Sequence, residues 1–351
     1  MTSRTTPLPW PTRFFRSSLT WLSVIGLSGA LQLQAADGGS IRVQPPKKHK
    51  ASPNKPATAE TEWNPFVWKV SKEGVAPSYL LGTIHLPSKA TLKLPPAAEE
   101  AFKKAEAVFC EIAFDSTAQQ KVAAAISKAP KPLTEILPKD LAERCEKALQ
   151  GIDSSLHLAD FDGMETWALA IQLVILEDHF KNPDVLPLDP RLYQMAQRAG
   201  KSVGGLETVE EQTSAMSSSA DDQVALLKAT LDEMEDAAKA GHPVSKPLLD
   251  AFLKGDLEAL QAHFEKTLNR YPTGLRAAFE KNLLTTRNHT LAARIVKQIT
   301  GNASRSHLFA IGSGHFVGAE GLPALLQKEG FTVERVSNPA PSAREKKRES
   351  R

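Results

Sequence analysis

The chain has 351 residues, of which 41% are hydrophobic and 24% charged. This is ordinary globular usage and excludes a disordered, collagen-like or multi-span membrane protein. The formal charge of +3 is spread unevenly: residues 63–338 carry 30 Lys and Arg against 35 Asp and Glu. The part able to fold is therefore mildly acidic and has no electrostatic footprint for nucleic acid.

In chain order, Arg13 and Arg16 precede an apolar run from Leu19 to Leu33, and Ala35-Ala36 follow. Charged start, short apolar middle and small-residue end make 1–36 a predicted secretory signal peptide. The run is short of the roughly 20 apolar residues of a membrane span. The protein is accordingly expected to be exported, periplasmic or extracellular, with no transmembrane anchor after cleavage. Residues 37–62 are rich in Pro and Lys without apolar periodicity, and the basic stretch 339–351 is similar. Both are expected to be disordered. That leaves 63–338 as one unit large enough for its own core. Its two cysteines, Cys110 and Cys145, could pair after export or stay as buried thiols; the sequence favours neither.

FVWKV (66–70) and SYLLGTI (78–84) alternate like paired strands around Glu73-Gly74. LPPAAEEAFKKAEA (94–107) predicts a helix opened by Pro, and AVFCEIAF (107–114) a buried strand. A helical stretch from 117 to 300 is interrupted by KSVGGLE (201–207), which reads as a strand and turn. HLFAIGS (307–313), GLPALLQKEG (321–330) and FTVERVS (331–337) end the unit as strand, helix, strand, with Gly330 just past the helix. The expected fold class is α/β: a mixed sheet built from both ends of the chain, with a large helical insert.

Two segments echo one another. Gly82-Thr83-Ile84-His85 and Gly312-Ser313-Gly314-His315 each close an apolar strand with Gly-x-x-His, and a helix is expected after each. Ligands and catalytic groups in α/β proteins collect outside the carboxyl ends of strands. Glu111 places a carboxylate in an otherwise apolar strand, where an unpaired charge costs several kcal/mol or forces protonation. It must reach a cation, a metal or water. Glu207 ends another strand, and Thr208 with Glu211 can cap the following helix without it. Arg287, on a predicted helix, can be a surface charge, an ion-pair partner for Glu111 or Glu207, or an anion clamp. Two His and two carboxylates form a plausible divalent-metal set. With three ligands and an open position, the fourth group could serve as general base and Arg287 could stabilise an oxyanion. Ser313 lacks the glycines two residues to either side that a nucleophile elbow needs (Ile311 and His315 stand there), Gly200-Lys201-Ser202 lacks the upstream Gly of a phosphate loop, and Gly312-x-Gly314-x-x-x-Gly318 is one residue too long for a dinucleotide fingerprint.

LLGTIHLP (80–87), AVFCEIAF (107–114), KSVGGLETVEEQ (201–212), Arg287-Asn288 and LFAIGSGHFVGAEGLPALLQKEGFTVERV (308–336) occur in the order that marks the TraB/GumN family, which the chain resembles from about 65 to 337. Phe316 stands where Leu is more usual in that family's second motif. The resemblance implies a fold similar to that of the erythromycin-esterase and ChaN-like proteins. It also implies kinship with the Tiki metal-dependent proteases and a divalent cation (Mn, Co, Zn or Fe) held by His85, Glu111 and His315. Glu207, Arg287 and Asn288 would then be the catalytic set acting on a peptide or protein. The alternative is a non-catalytic envelope protein that binds a metal, haem or peptide in the same place.

Overall fold

A computed structural model describes residues 63–216 and 218–338. The signal peptide read over 1–36, the linker over 37–62 and the tail over 339–351 lie outside the described residues. Six strands form one mixed sheet: β1 (Val67–Ser71), β2 (Ser78–Thr83), β3 (Ala107–Cys110), β4 (Ser202–Gly205), β5 (His307–Gly312) and β6 (Thr332–Arg335). Their spatial order is β4-β3-β5-β2-β1-β6. Strands β4, β3, β5 and β2 run parallel to one another. β1 pairs antiparallel with β2 on one side and with β6 on the other. The sheet thus draws on both ends of the folded unit, and among the described residues only β4 comes from the helical middle. β2 and β5, at the centre, are buried at all six of their positions. Such near-continuous apolar runs belong to parallel strands covered on both faces.

Two expected elements are shorter than the sequence pattern indicated. The first helix covers Pro96–Lys104 rather than 94–107, because Ala105 already turns extended to enter β3. β3 ends at Cys110 rather than at 114. Glu111 is therefore not a charge within a strand but the first residue beyond one. Neither Gly-x-x-His motif runs directly into a helix. A 3₁₀ turn (Lys89–Thr91) comes four residues after His85, while His315 lies within the 3₁₀ turn Ser313–Phe316.

Glycine allows the sheet edge to close where β3 leaves it. A Cβ on Gly205 would stand 2.5 Å from the Ala113 backbone nitrogen and 2.8 Å from the Ile112 carbonyl carbon. Backbone cannot swing aside like a side chain, so Gly205→Ala is expected to destabilise the fold by about 1–3 kcal/mol, as overpacking does. Denaturant unfolding of that variant checks it, with Gly151→Ala, which meets nothing within 4 Å, as the control.

Helices cover the sheet and build a second core. The first core holds Phe66, Leu80, Phe252, Phe309 and their neighbours around the sheet; the second holds Leu133, Cys145, Leu149, Trp167 and Leu227 among helices. The helix Thr166–Lys181 lies between them. It is apolar around most of its circumference, as a helix buried on several sides must be. Ile175 belongs to the first core, Leu169 and Leu173 to the second, and Ile171 packs against both. Cys110 and Cys145 are free thiols, one in each core, which resolves the open question of their pairing. Among the described residues no helix is long and apolar enough to cross a membrane.

Candidate active site

The four parallel strands end side by side, with Thr83 opposite Gly312 and Cys110 opposite both Gly205 and Ala310. Each then delivers a polar residue within three positions: His85 after β2, Glu111 after β3, Glu207 after β4 and His315 after β5. This is the edge at which an open α/β sheet gathers chemistry. Backbone bonds keep two of the exits aligned, since Leu206 N–H donates to the Cys110 carbonyl (2.9 Å) and Glu207 N–H to that of Glu111 (2.6 Å).

Gly312 marks the centre. A Cβ there would lie 3.0 Å from Glu111 Oε1, 3.4 Å from His85 Nε2 and 3.9 Å from His315 Cδ2. Both motif histidines and the Glu111 carboxylate therefore face one small space that only glycine leaves open. Each ring is held by its far nitrogen. His85 Nδ1 is 3.0 Å from Asp189 Oδ2, and the other oxygen of that carboxylate accepts from the Thr83 hydroxyl. A carboxylate only accepts, so Nδ1 carries the proton and Nε2 faces Gly312. His315 Nδ1 is 2.5 Å from Asn288 Oδ1, while Asn288 Nδ2 donates to the Glu320 carbonyl at 2.7 Å. That second bond fixes the amide's orientation, so His315 also donates through Nδ1 and keeps Nε2 free. Phe316 anchors the turn by stacking on Trp68 with ring centroids 4.7 Å apart, which gives the unusual Phe a structural purpose.

The carboxylates are not free. Arg287 donates through Nη2 to Glu111 Oε2 (2.6 Å) and to Glu207 Oε2 (2.7 Å), and through Nε to Glu207 Oε1 (3.0 Å). Glu111 also accepts from Gln212 Nε2 (2.9 Å) and from the Gly312 N–H (2.7 Å). All three members of this Glu–Arg–Glu cluster are buried. The ion pair considered for Glu111 and Arg287 thus exists, and Glu207 shares it. The Thr208–Glu211 capping box forms as expected, with Glu211 N–H donating to Thr208 Oγ1 and Thr208 N–H to Glu211 Oε2. Among the described residues, no three His, Cys, Asp or Glu side chains stand together as a ready metal cage.

These placements set the protonation states. Burial opposes the charge on Glu111, but Arg287, the two imidazoles and the Gly312 amide hold its carboxyl well below the usual range. Burial raises the pKa of Glu207, and Arg287 offsets this only in part. Burial likewise lowers His315 to about 4, so its ring is neutral near pH 7. His85 is half-exposed at the cleft; burial works against its charge, yet Asp189 and Glu111 raise it to about 9.

Asp189 and Gln212 are the site residues that sequence reasoning missed. Asp189 lies in the first turn of the helix Leu188–Arg198, where an acid is ordinary complementation of the helix dipole. Its flanking by Leu188 and Pro190, in a turn that buries all three, was the available signal. Arg287 and Asn288 open the helix Thr286–Gly301 directly after a π-helical turn, Glu280–Thr285. Such wide turns concentrate at functional sites. Here neighbouring residues reach different targets, Arg287 the carboxylates and Asn288 the imidazole.

The model of the TraB/PrgY/gumN family matches residues 66–335. The chain belongs to the TraB/PrgY/gumN family. Among curated family relatives, Metalloprotease TIKI1 of Danio rerio is 25% identical over 318 residues, covering 79% of this chain and 64% of the relative. Metalloprotease TIKI1 of Homo sapiens is 24% identical, covering 78% and 62%, and the Metalloprotease TIKI homolog of Nematostella vectensis 23%, covering 80% and 69%. The chain thus spans a little over three fifths of the length of the TIKI proteins of Danio rerio and Homo sapiens. No solved structure matches it significantly.

Proposed function

We propose that this protein is an exported, divalent-metal-dependent peptidase with His85 and His315 as its metal-binding imidazoles and Glu111 as the adjoining carboxylate. The observation that carries this reading is the pair of rings locked through Nδ1 by Asp189 and Asn288, with His85 Nε2 facing Gly312 and His315 Nε2 lying 3.9 Å from Glu111 Oε2. Metal-ligating histidines are held in this way, with the other ring nitrogen bonded to a carboxylate or carbonyl. The donor set fits Zn, Mn, Co or Fe(II), for which imidazole and carboxylate are suitable ligands. The bound ion would supply a Lewis acid for the scissile carbonyl and a lowered pKa for water.

This chain's own residues then have distinct tasks. Asp189 and Asn288 orient the two imidazoles. Arg287 holds Glu111 and Glu207 at the floor, with a guanidinium able to stabilise negative charge beside them. Glu207, whose pKa burial raises, is the residue best suited to receive and return a proton. Export is proposed from the reading of residues 1–36, and a fold kinship with the erythromycin-esterase and ChaN-like proteins is part of the same proposal.

The test is cleavage of an internally quenched peptide library by the purified protein after chelation and after Mn, Co, Zn or Fe(II) is restored. Turnover should disappear on chelation, return with one metal and be absent from His85→Ala and His315→Ala. Stoichiometric peptide binding with no cleavage under any metal would replace the peptidase by the binding protein.

A further inference from the structure

Beside the polar floor lies a cleft of about 390 Å³, bounded on one side by the helix Thr166–Lys181 and on the other by residues of the 257–285 region. This is the lower part of the size range of ligand pockets, ≈ 300–1,000 Å³. Its walls are almost wholly apolar: Ile171 and Val174 face Phe264, Tyr271, Phe279 and Leu284 across it. All six are only partly buried, although most of the large apolar side chains of the described residues are fully covered. Their open surface adjoins His85, Gly312 and His315 and is continuous with the floor. Gly314 keeps the passage narrow, since a Cβ there would stand 3.0 Å from the Phe264 ring.

One charge interrupts the walls away from the floor. Glu233 lines the cleft, and its carboxylate accepts from the Thr267 hydroxyl at 3.2 and 3.3 Å. A carboxylate in an apolar wall repels an acidic guest, which would have to shed water and sit beside a like charge.

We infer that this cleft is a side-chain subsite that takes a bulky apolar residue of a peptide and rejects an acidic one. The inference rests on the peptidase reading for its peptide substrate and adds the substrate class. An apolar pocket gains about 10- to 200-fold in kcat/KM per well-placed carbon. Phe or Leu should therefore exceed Ala by about 100-fold or more.

The experiment uses one peptide scaffold carrying Phe, Leu, Ala, Gln or Glu at each position in turn. It is read twice on the purified full chain: as cleavage with restored metal, and as fluorescence anisotropy of the labelled peptides with the chelated protein. The expected result is a position where Phe and Leu are favoured and Glu is worst in both readouts. Val174→Trp, which fills the cleft, should abolish the preference for Phe. Glu233→Gln should raise the Glu peptide to the level of the Gln peptide. If Val174→Trp does not fold by thermal melting, Phe264→Ala supplies the opposite change and should shift the preference toward Trp. Selective binding without cleavage would uphold the subsite and sink the peptidase. Cleavage with Ala as good as Phe at every position would uphold the peptidase and overturn the subsite. Failure of any peptide to bind or be cleaved would overturn the subsite as well.

Discussion

Arg287→Met is expected to lower unfolding stability by about 3–5 kcal/mol, the usual cost of removing one partner from a buried ion pair. For a unit of this size that corresponds to a fall in melting temperature of roughly 10 °C. The guanidinium serves two carboxylates that are both buried, and the Glu–Arg–Glu cluster already carries a net negative charge. Without it, Glu111 keeps only Gln212 and the Gly312 N–H, and Glu207 keeps none of its side-chain partners among the bonds seen here. The pH dependence should reverse with the substitution. In the parent protein the depressed pKa of Glu111 contributes stability above the unfolded carboxyl value, and acid removes it. In Arg287→Met the carboxyls titrate above that value, so the folded state binds more protons than the unfolded one and stability rises as pH falls. The stability gap between the two proteins should therefore narrow from pH 7 through pH 4 and close only at still lower pH, once Glu111 of the parent is itself protonated. Glu207→Gln in the Arg287→Met background should recover part of the loss. Denaturant unfolding at pH 4, 5.5 and 7 decides it; an Arg287→Met protein as stable as its parent at pH 7 would show that the cluster does not bear on the fold.

The same cluster shows what was legible in the sequence. His85, Glu111, Glu207 and His315 could be singled out because each departs from the pattern around it: a His after Gly at the end of an apolar run, or an acid at the margin of one. Strand ends announce themselves locally, and the parallel sheet then brings them together. Glu111 was found for a partly mistaken reason, since the apolar run AVFCEIAF continues past the strand into a turn packed on Gly205. Apolar periodicity measures burial, and a buried turn scores like a strand. Asp189 stayed hidden because a helix's first turn ordinarily carries an acid, and Gln212 because a polar residue on a helix is unremarkable until its neighbour is known. The π turn before Arg287 has no sequence signature of the kind that Gly or Pro would give. The cleft walls were the least legible, because Ile171, Phe264 and Leu284 lie far apart in the chain and each alone reads as core.

Metal binding should separate the residues that hold an ion from those that position the holders. Thermal unfolding of the chelated protein, titrated with Mn, Co, Zn and Fe(II), is expected to show stabilisation by a transition metal of about 2.7 kcal/mol at 100 times its dissociation constant. His85→Ala and His315→Ala should remove that shift, because each deletes one of the two imidazoles beside Gly312 and Glu111, His85 giving up its Nε2 proton to the ion. Asp189→Asn and Asn288→Ala should weaken it by about 10- to 100-fold in affinity, the usual cost of losing the group that orients a metal-binding imidazole. The reason differs between the two. Asp189→Asn leaves an amide that can still bond Nδ1 but no longer supplies charge, whereas Asn288→Ala leaves the His315 ring free to turn and the Glu320 carbonyl without its donor. Glu207→Gln should leave metal affinity nearly unchanged, since Glu207 faces Arg287 and not Gly312. A shift that survives in both histidine variants would move the metal away from Gly312. No shift with any metal would leave two oriented imidazoles and an ion-pair cluster as the architecture of a binding pocket.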